Sequence, residues 1–341
     1  MQSTLTHSKS ERSELIRQPF FTLAAFAFVL LSAALSSFAP LGFSIATVFL
    51  FAGPHNWVEL RYFLSRLPSR FGPLKAFFIS SFAGVLTLGA GYAALLWSMH
   101  QQLLSYDCAM LSFRAWIVGF FAWIAALLLN RRFSWLSSAA FYSILGVLAS
   151  ALCFSLWQPL WFGLCLVYLH PLVGLLILDR ELKRSKPQWS HAYRNVLSLI
   201  PLVLLLMIAQ LSTTPSLAGG VELSQQISRH AGSFLLPNLS SHLLVSVHTF
   251  LEMLHYGVWI LAIPLATAAV SRRKWLPANM PVAQKSRRLQ LLISSAFIAS
   301  NVLVFALWGS FLADYSATRD FYFTLAVFHI LAEVPFLLWL L

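Results

Sequence analysis

The stretch RNVLSLIPLVLLLMIAQLS, residues 194–212, decides the fold class because no charged residue follows Arg194 in it. A helix of about 20 apolar residues, rising 1.5 Å per residue, spans the hydrocarbon core of a bilayer. The sequence contains ten segments of this kind, and they predict an all-α, polytopic helical bundle in a membrane. The segments are residues 20–39, 41–64, 75–99, 111–129, 134–155, 157–178, 194–212, 240–270, 289–312 and 320–341.

Composition supports this class. Hydrophobic residues make up 59% of the 341 residues, charged residues only 10%, and the mean hydropathy is +0.75, which excludes an ordinary soluble domain. The net charge of +12 does not indicate nucleic-acid binding, because Lys and Arg fall in short clusters between apolar segments. Cys108, Cys153 and Cys165 are odd in number and lack CxxC spacing, so we expect packing residues rather than a disulfide or thiolate site.

The basic clusters also predict the topology. They occupy the first 18 residues and every second connection, while the alternate connections are poor in Lys and Arg. Because basic loops stay in the cytoplasm, about ten transmembrane helices with both termini cytoplasmic satisfy every loop. We therefore expect a cytoplasmic tail at 1–18, a single transmembrane domain at 19–341, and location in a bacterial cytoplasmic (inner) membrane.

Two local patterns predict further structural features, one in a connection and one on a helix face. The connection 213–239 faces outward in this topology, and its weakly amphipathic stretch 221–236 predicts a short interfacial helix or lid. Ala83, Thr87 and Gly91 recur at four-residue spacing and predict a closely packed helix face.

The clearest signal for function is a histidine followed four residues later by a glutamate. Four residues are just over one helical turn, so both side chains lie on one helix face. Ionisable groups within a bilayer are costly and usually mark a functional site. The pattern occurs three times, in His55 with Glu59, His248 with Glu252, and His329 with Glu333.

The predicted topology brings several histidines to a similar depth. Counted from the outer helix ends, His55, His170 and His255 lie about thirteen to fifteen residues in, and His329 about nine. We predict that these four histidines surround one ion near the bilayer midplane. His248, two turns from His255, could bind a second metal, belong to a proton path or occupy an axial position. His170 alone could instead bond a neighbouring backbone group.

The residue types indicate the chemistry. Neutral imidazole is a ligand for iron, copper or zinc, and a nearby carboxylate can orient it or bind the metal. Glu59, Glu252 and Glu333 are therefore the candidate catalytic residues, which would orient ligands or move protons. Glu252 and His255 also form a Glu-x-x-His arrangement, but one copy makes a regular carboxylate-bridged di-iron site doubtful. His230, near a loop, is expected at the surface.

A short motif adds a resemblance. The residues PHNWVE, 54–59, are similar to the Pro-His-Gly-x-x-Asp stretch of the Brp/Blh family of membrane β-carotene dioxygenases, with Asn56 in place of glycine and Glu59 in place of aspartate. The resemblance implies a polytopic protein with several histidines around a non-haem iron and a polyene substrate. By motif, it extends to His55 alone. The His-x-x-x-His and His-x-x-His-His boxes of membrane desaturases are absent from the sequence.

These observations predict an integral membrane metalloprotein, a non-haem iron oxidoreductase acting on a lipid-soluble substrate such as a carotenoid, quinone or other isoprenoid. Copper, zinc, haem or no metal are the alternatives for the cofactor. The rival functions are a haem-binding electron-transfer protein, a proton-coupled transporter in which His and Glu form a relay, and a structural subunit of a larger complex. The sequence indicates no nucleic-acid partner and leaves an electron donor or partner subunit open.

Overall fold

The computed structural model describes residues 2–131, 133, 137–217, 222–271 and 276–341, and within these ranges it contains helices and no strand. The side chains of 2–17 lie outside the described part. The helices are α1 Gln2–Phe38, α2 Pro40–Arg66, α3 Lys75–His100, α4 Tyr106–Arg131, α5 Ser138–Trp157, α6 Pro159–Ser185, α7 Pro187–Leu211, α8 Glu222–His230, α9 Ser241–Gly257, α10 Ile263–Ser271, α11 Arg287–Ala313 and α12 Tyr315–Leu340. A π-helical turn, Val258–Ala262, joins α9 to α10.

The prediction of an all-α membrane bundle is confirmed. In the described ranges, nine helical segments are long and apolar enough to cross a bilayer, with α9 and α10 forming one of them, Ser241–Thr267. The segment predicted at 41–64 is a helix of 27 residues, α2, but it is not among the nine. His55, Asn56 and Glu59 in its second half lower its hydropathy.

The described chain clusters into two compact units. The first consists of Met1–Val48 and Gly174–Ala269, and the second of Phe49–Val173 and Val270–Leu341. The single transmembrane domain remains a prediction.

In the first unit, α9 is the central helix, and α1, α7 and α8 pack against it. Two-thirds of its membrane segment is buried, 67%, against 6–33% for the other eight segments. Gly257 permits the close approach to α1, since a methyl group there would collide with the ring of Phe28. The helix predicted in the outer connection exists as α8, and its Ile227, together with Ala231 directly after the helix, packs against Leu244 and Val245 of α9.

In the second unit, α3 packs against both α4 and α12. Gly84 and Gly89 make these contacts possible, because a methyl group would collide with Trp123 at the first position and with Phe328 at the second. The prediction for Ala83, Thr87 and Gly91 is wrong, since all three are exposed. The spacing of small residues located the correct helix but the wrong face.

The three cysteines are free and exposed. The absence of a disulfide among them agrees with the prediction, whereas their expected role in packing is wrong. Cys153 lies on α5 and Cys165 on α6. Most of the surface of these two apolar helices is not buried by other helices, and both cysteines lie on the exposed part.

Candidate metal site

Two helices of the second unit each carry one of the predicted His and Glu pairs. His55 and Glu59 lie one turn apart on α2, and His329 and Glu333 lie one turn apart on α12. His55, Glu59 and His329 each offer a ligand atom, and these atoms lie within 4.8 Å of one another. Since ligand atoms held at about 2.1 Å from one ion are at most ~4.2 Å apart, a bound ion requires an inward movement of less than about 1 Å.

The imidazole rings meet edge to face. The ring centroids of His55 and His329 are 5.2 Å apart with their planes at 83°, and those of His170 and His329 are 5.5 Å apart at 71°. His329 therefore contacts the ring of His55 on α2 and the ring of His170 on α6. Three of the four histidines predicted to converge lie together in this unit.

Backbone hydrogen bonds set the tautomers of the outer two rings. His55 Nδ1 lies 2.9 Å from the carbonyl oxygen of Phe51, and His170 Nδ1 lies 3.2 Å from that of Leu166. A carbonyl oxygen can only accept, so each Nδ1 carries the proton and each Nε2 presents a lone pair. The sequence alternative for His170, a bond to the backbone, is thus also realised.

The carboxyl groups are the most costly part of the cluster. Glu59 is 1% exposed and Glu333 is fully buried. Among the described residues, neither carboxyl oxygen of Glu59 has a hydrogen-bond partner. The two groups are also close enough to interact electrostatically, so their negative charges would repel each other. A buried, unpaired carboxylate costs several kcal/mol, and a cation would remove that cost.

The arrangement can therefore hold a metal ion. It presents two imidazole nitrogens and one carboxylate oxygen from two helices, with a third imidazole and a second carboxyl group beside them. Imidazole and carboxylate together suit first-row transition metals. This donor set does not by itself identify the metal.

The remaining predicted site residues lie in the first unit, on α9. His248, Glu252 and His255 are all buried there. The hydroxyl of Tyr256 donates to Oε1 of Glu252 over 2.8 Å, a contact that the sequence analysis missed. That His248 and His255 bind metal, and that Glu252 is catalytic, remain predictions.

His230 differs from its prediction. It is partly buried, and its ring contacts that of His248 at a centroid distance of 5.1 Å. The two rings meet because α8 packs on α9. The sequence of the loop between these helices does not predict that packing.

A cavity of about 530 Å³ adjoins α2 in the second unit, and its walls come from α2, α11 and α12. Asn56 and Trp57, which directly follow His55, line it. Asn56 Nδ2 donates to the carbonyl of Ala52 at 3.1 Å and lies 3.5 Å from the hydroxyl of Tyr322, another lining residue. Most of the lining is aliphatic or aromatic, so the cavity suits an apolar molecule.

Comparison of the chain with protein-family models, with curated proteins and with solved structures found no match. The likeness to the Brp/Blh family therefore rests on residues 54–59 alone.

Proposed function

We propose that the protein is an integral membrane, non-haem iron oxidoreductase that acts on a lipid-soluble substrate. His55, His329 and Glu59 would bind the iron. The observation that carries the proposal is the convergence of their ligand atoms within 4.8 Å, among helices apolar enough for a membrane.

The charge of the cluster supports a bound cation. Glu59 has no hydrogen-bond partner among the described residues and lies close to Glu333. Two neighbouring buried carboxyl groups must share a proton, pair with a cation or stay neutral. A divalent ion between them and the imidazoles would balance both charges and use nitrogen lone pairs that protonated histidines would not offer.

The donor set supports iron. Two histidines and one carboxylate on one side of an ion form the facial triad typical of non-haem iron(II) oxygenases, which leaves coordination positions open. Iron held there would supply oxygen activation or Lewis-acid chemistry. Copper and zinc share the imidazole ligands, and metal analysis separates them.

We assign supporting roles to His170 and Glu333, which neighbour the three ligands. Nε2 of His170, whose ring touches that of His329, would add a third nitrogen ligand or orient His329. Glu333, one helical turn after His329 on α12, would hold or move a proton at its carboxyl oxygen.

The surroundings support a lipid-soluble substrate. His329 lies on one of the nine helices apolar enough to cross a bilayer, and the apolar cavity beside α2 offers space for a hydrocarbon. A carotenoid, quinone or other isoprenoid is the class we propose, and the resemblance of residues 54–59 to Brp/Blh favours a polyene. An electron donor or partner subunit would be needed for some of these reactions and is not identified.

The two rival functions, haem binding and proton-coupled transport, require different arrangements of the same residues. A haem held by two histidines needs its axial imidazoles on opposite sides of a macrocycle. The direct edge contact of His55 with His329, and of His170 with His329, leaves no space for a macrocycle between them. A proton-coupled transporter would use the same histidines and glutamates without a resident metal.

The test is metal analysis of the full chain, expressed with ample iron and purified in detergent. We expect about one iron per chain in the wild type and little in His55→Ala or His329→Ala. His191→Ala removes an exposed histidine of α7 and should keep the iron, which makes it the matched control. The iron-loaded protein should then consume β-carotene or a quinol in the presence of oxygen. A wild type without metal would contradict the proposal and favour the transporter.

A further inference from the structure

The wall of the cavity beside α2 contains a buried hydrogen-bond acceptor. Nδ2 of Asn56, a wall residue, donates to the carbonyl of Ala52 over 3.1 Å. A carbonyl oxygen can only accept, so this bond fixes which end of the Asn56 amide is Nδ2. The other end, Oδ1, is buried and has no hydrogen-bond partner among the described residues. The wall therefore holds an acceptor that requires a donor.

The surroundings of this acceptor are polar and belong to α2 and α12. Nδ2 of Asn56 lies 3.5 Å from the hydroxyl of Tyr322 on α12, at the limit for a hydrogen bond. The indole N–H of Trp57 is also buried and has no partner among the residues that the structure describes. Asn56 directly follows His55, and Tyr322 lies two helical turns before His329 on one face of α12. The polar part of the wall therefore lies on the two helices that carry the proposed ligands.

The rest of the wall suits a hydrocarbon skeleton. Along α11 it extends from Ser300 to Ser310, which is about 15 Å of helix. The volume of about 530 Å³ falls within the roughly 300–1,000 Å³ usual for small-molecule sites. Leu303, Phe321 and Leu325 of the wall are exposed. Because α11 and α12 are apolar enough to cross a bilayer, these exposed side chains would face lipid, and a ligand can enter from the membrane.

The acceptor limits the chemical class of the ligand. Oδ1 of Asn56 can only accept, so the ligand must present an O–H or N–H group. β-Carotene is a hydrocarbon and a quinone has only acceptor oxygens, so neither satisfies it. A quinol or a hydroxylated isoprenoid does, and it also supplies an oxygen of the kind that the indole N–H of Trp57 requires. A site with a buried group for a substrate hydroxyl discriminates against the analogue that lacks it, because that group is then left unpaired.

We propose, on the basis of the oxidoreductase function above, that this cavity binds the substrate and that the substrate is an isoprenoid with a hydroxyl group. The hydroxyl donates to Oδ1 of Asn56, and the isoprenoid skeleton extends along α11. Oδ1 exposes almost no surface, so the hydroxyl reaches it by entering between Asn56 and Tyr322, whose contact at 3.5 Å is weak.

Retention of two matched ligands by the full chain tests the hydroxyl. Farnesol and farnesene share an isoprenoid skeleton, and only farnesol carries a hydroxyl group. The detergent-purified protein is incubated with both and passed through a desalting column, and the bound amounts are measured by gas chromatography against protein-free micelles. We expect farnesol to be enriched over farnesene by roughly 3- to 10-fold, the effect of one hydrogen bond.

Two asparagine variants locate the effect. Asn56→Leu removes the acceptor and should lower the farnesol preference to that of the micelles. Asn301→Leu is the matched control, since Nδ2 of Asn301 makes the same kind of bond, to the carbonyl of Phe297 over 2.9 Å, at an exposed position outside the wall. It should keep the preference. No preference in the wild type, or an equal preference in all three proteins, would overturn the hydroxyl requirement.

Two variants of α11 test the cavity itself. Ala306→Phe adds a ring at the wall and should reduce retention of both ligands. Gly309→Phe adds the ring at an exposed position outside the wall, where nothing lies within 4 Å of an added Cβ, and should not. Equal retention by these two variants would overturn the cavity as the binding site. This comparison stays decisive if Asn56→Leu does not fold.

Iron analysis of the same wild-type sample separates the ligand site from the metal site. A farnesol preference without bound iron would uphold the ligand site and contradict the oxidoreductase. Bound iron without the preference would leave the oxidoreductase in place and overturn the hydroxyl requirement.

Discussion

The rings of His55 and His329 meet edge to face at 5.2 Å, although 274 positions of sequence separate the two residues. The contact joins α2 to α12 and brings the glutamate that follows each histidine into the same buried region. It determines both the donor set and the electrostatic cost of the cluster.

Glu59→Gln should separate the stability of the metal-free protein from that of the metal-bound protein. The amide has nearly the size of the carboxyl group but no charge, so the free energy of unfolding without metal should stay the same or rise. Stabilisation by added iron, which reaches about 2.7 kcal/mol at 100 times the Kd, should be lost. Thermal unfolding with iron and with a chelator measures both effects. A large loss of stability in chelator would contradict an unpaired role for Glu59.

Glu333→Gln should weaken metal binding by about 10- to 100-fold, the usual effect of removing a group that supports a ligand. The effect should be smaller than that of Glu59→Gln, because Glu59 supplies the ligand atom in our proposal. Iron titration of the two purified variants, followed by metal analysis, measures the difference. Unchanged affinity in Glu333→Gln would remove that residue from the site.

Tyr256→Phe should destabilise the protein. It removes the donor to Oε1 of Glu252, and an unmade hydrogen bond to a buried group costs about 1–3 kcal/mol. Thermal unfolding should show the loss in the single variant. In the background of Glu252→Gln the same change should cost less, and equal costs in both backgrounds would show that the two residues do not interact.

Gly89→Ala should perturb the site from a distance. The added methyl group collides with the ring of Phe328, which precedes His329, so either that ring or α12 itself must shift. We expect a loss of about 1–3 kcal/mol of stability and weaker metal binding. Gly146→Ala is the control, since nothing lies within 4 Å of its added methyl group, and helix propensity favours alanine by up to about 1 kcal/mol. Equal stability of the two variants would argue against the close contact.

The topology prediction can be tested by cysteine labelling after Cys108, Cys153 and Cys165 are replaced by serine. A membrane-impermeant reagent added outside intact cells should label a cysteine at Gln225 of α8 and not one at Lys183 of α6. Both positions are exposed, so access depends on the side of the membrane. The reverse labelling would invert the predicted orientation.

The sequence was sufficient to predict the helices and to predict that some of the candidate site residues lie together. Continuous apolar runs predict membrane helices because each run must satisfy its backbone hydrogen bonds internally, and the His and Glu spacing predicts a shared face on α2 and on α12. Depth counting correctly grouped His55, His170 and His329. It could not predict which of the three rings touch each other, because that depends on how each helix is rotated about its own axis.

Other features depend on contacts between distant residues and were missed. The choice of Gly84 and Gly89 rather than Ala83 and Gly91 depends on where Trp123 and Phe328 point. His230 meets His248 only because α8 folds back on α9. The partner of Glu252 was predictable in principle, because Tyr256 lies one helical turn later on the same face.

The π-helical turn at Val258–Ala262 has a consequence for how the protein tolerates changes in length. The N–H of Ile263 bonds to the carbonyl of Val258, five residues earlier, so this turn holds one more residue than an α-helical turn. The extra residue rotates every later side chain by about 100°, which ends the polar stripe of His248, Glu252 and His255 at the start of α10. A one-residue deletion within the turn would restore the regular helix and bring into line with that stripe a face of α10 that lies about 100° away from the present one. The length of this turn, more than the identity of any one residue in it, therefore sets which surface of α10 continues the line of the polar stripe on α9.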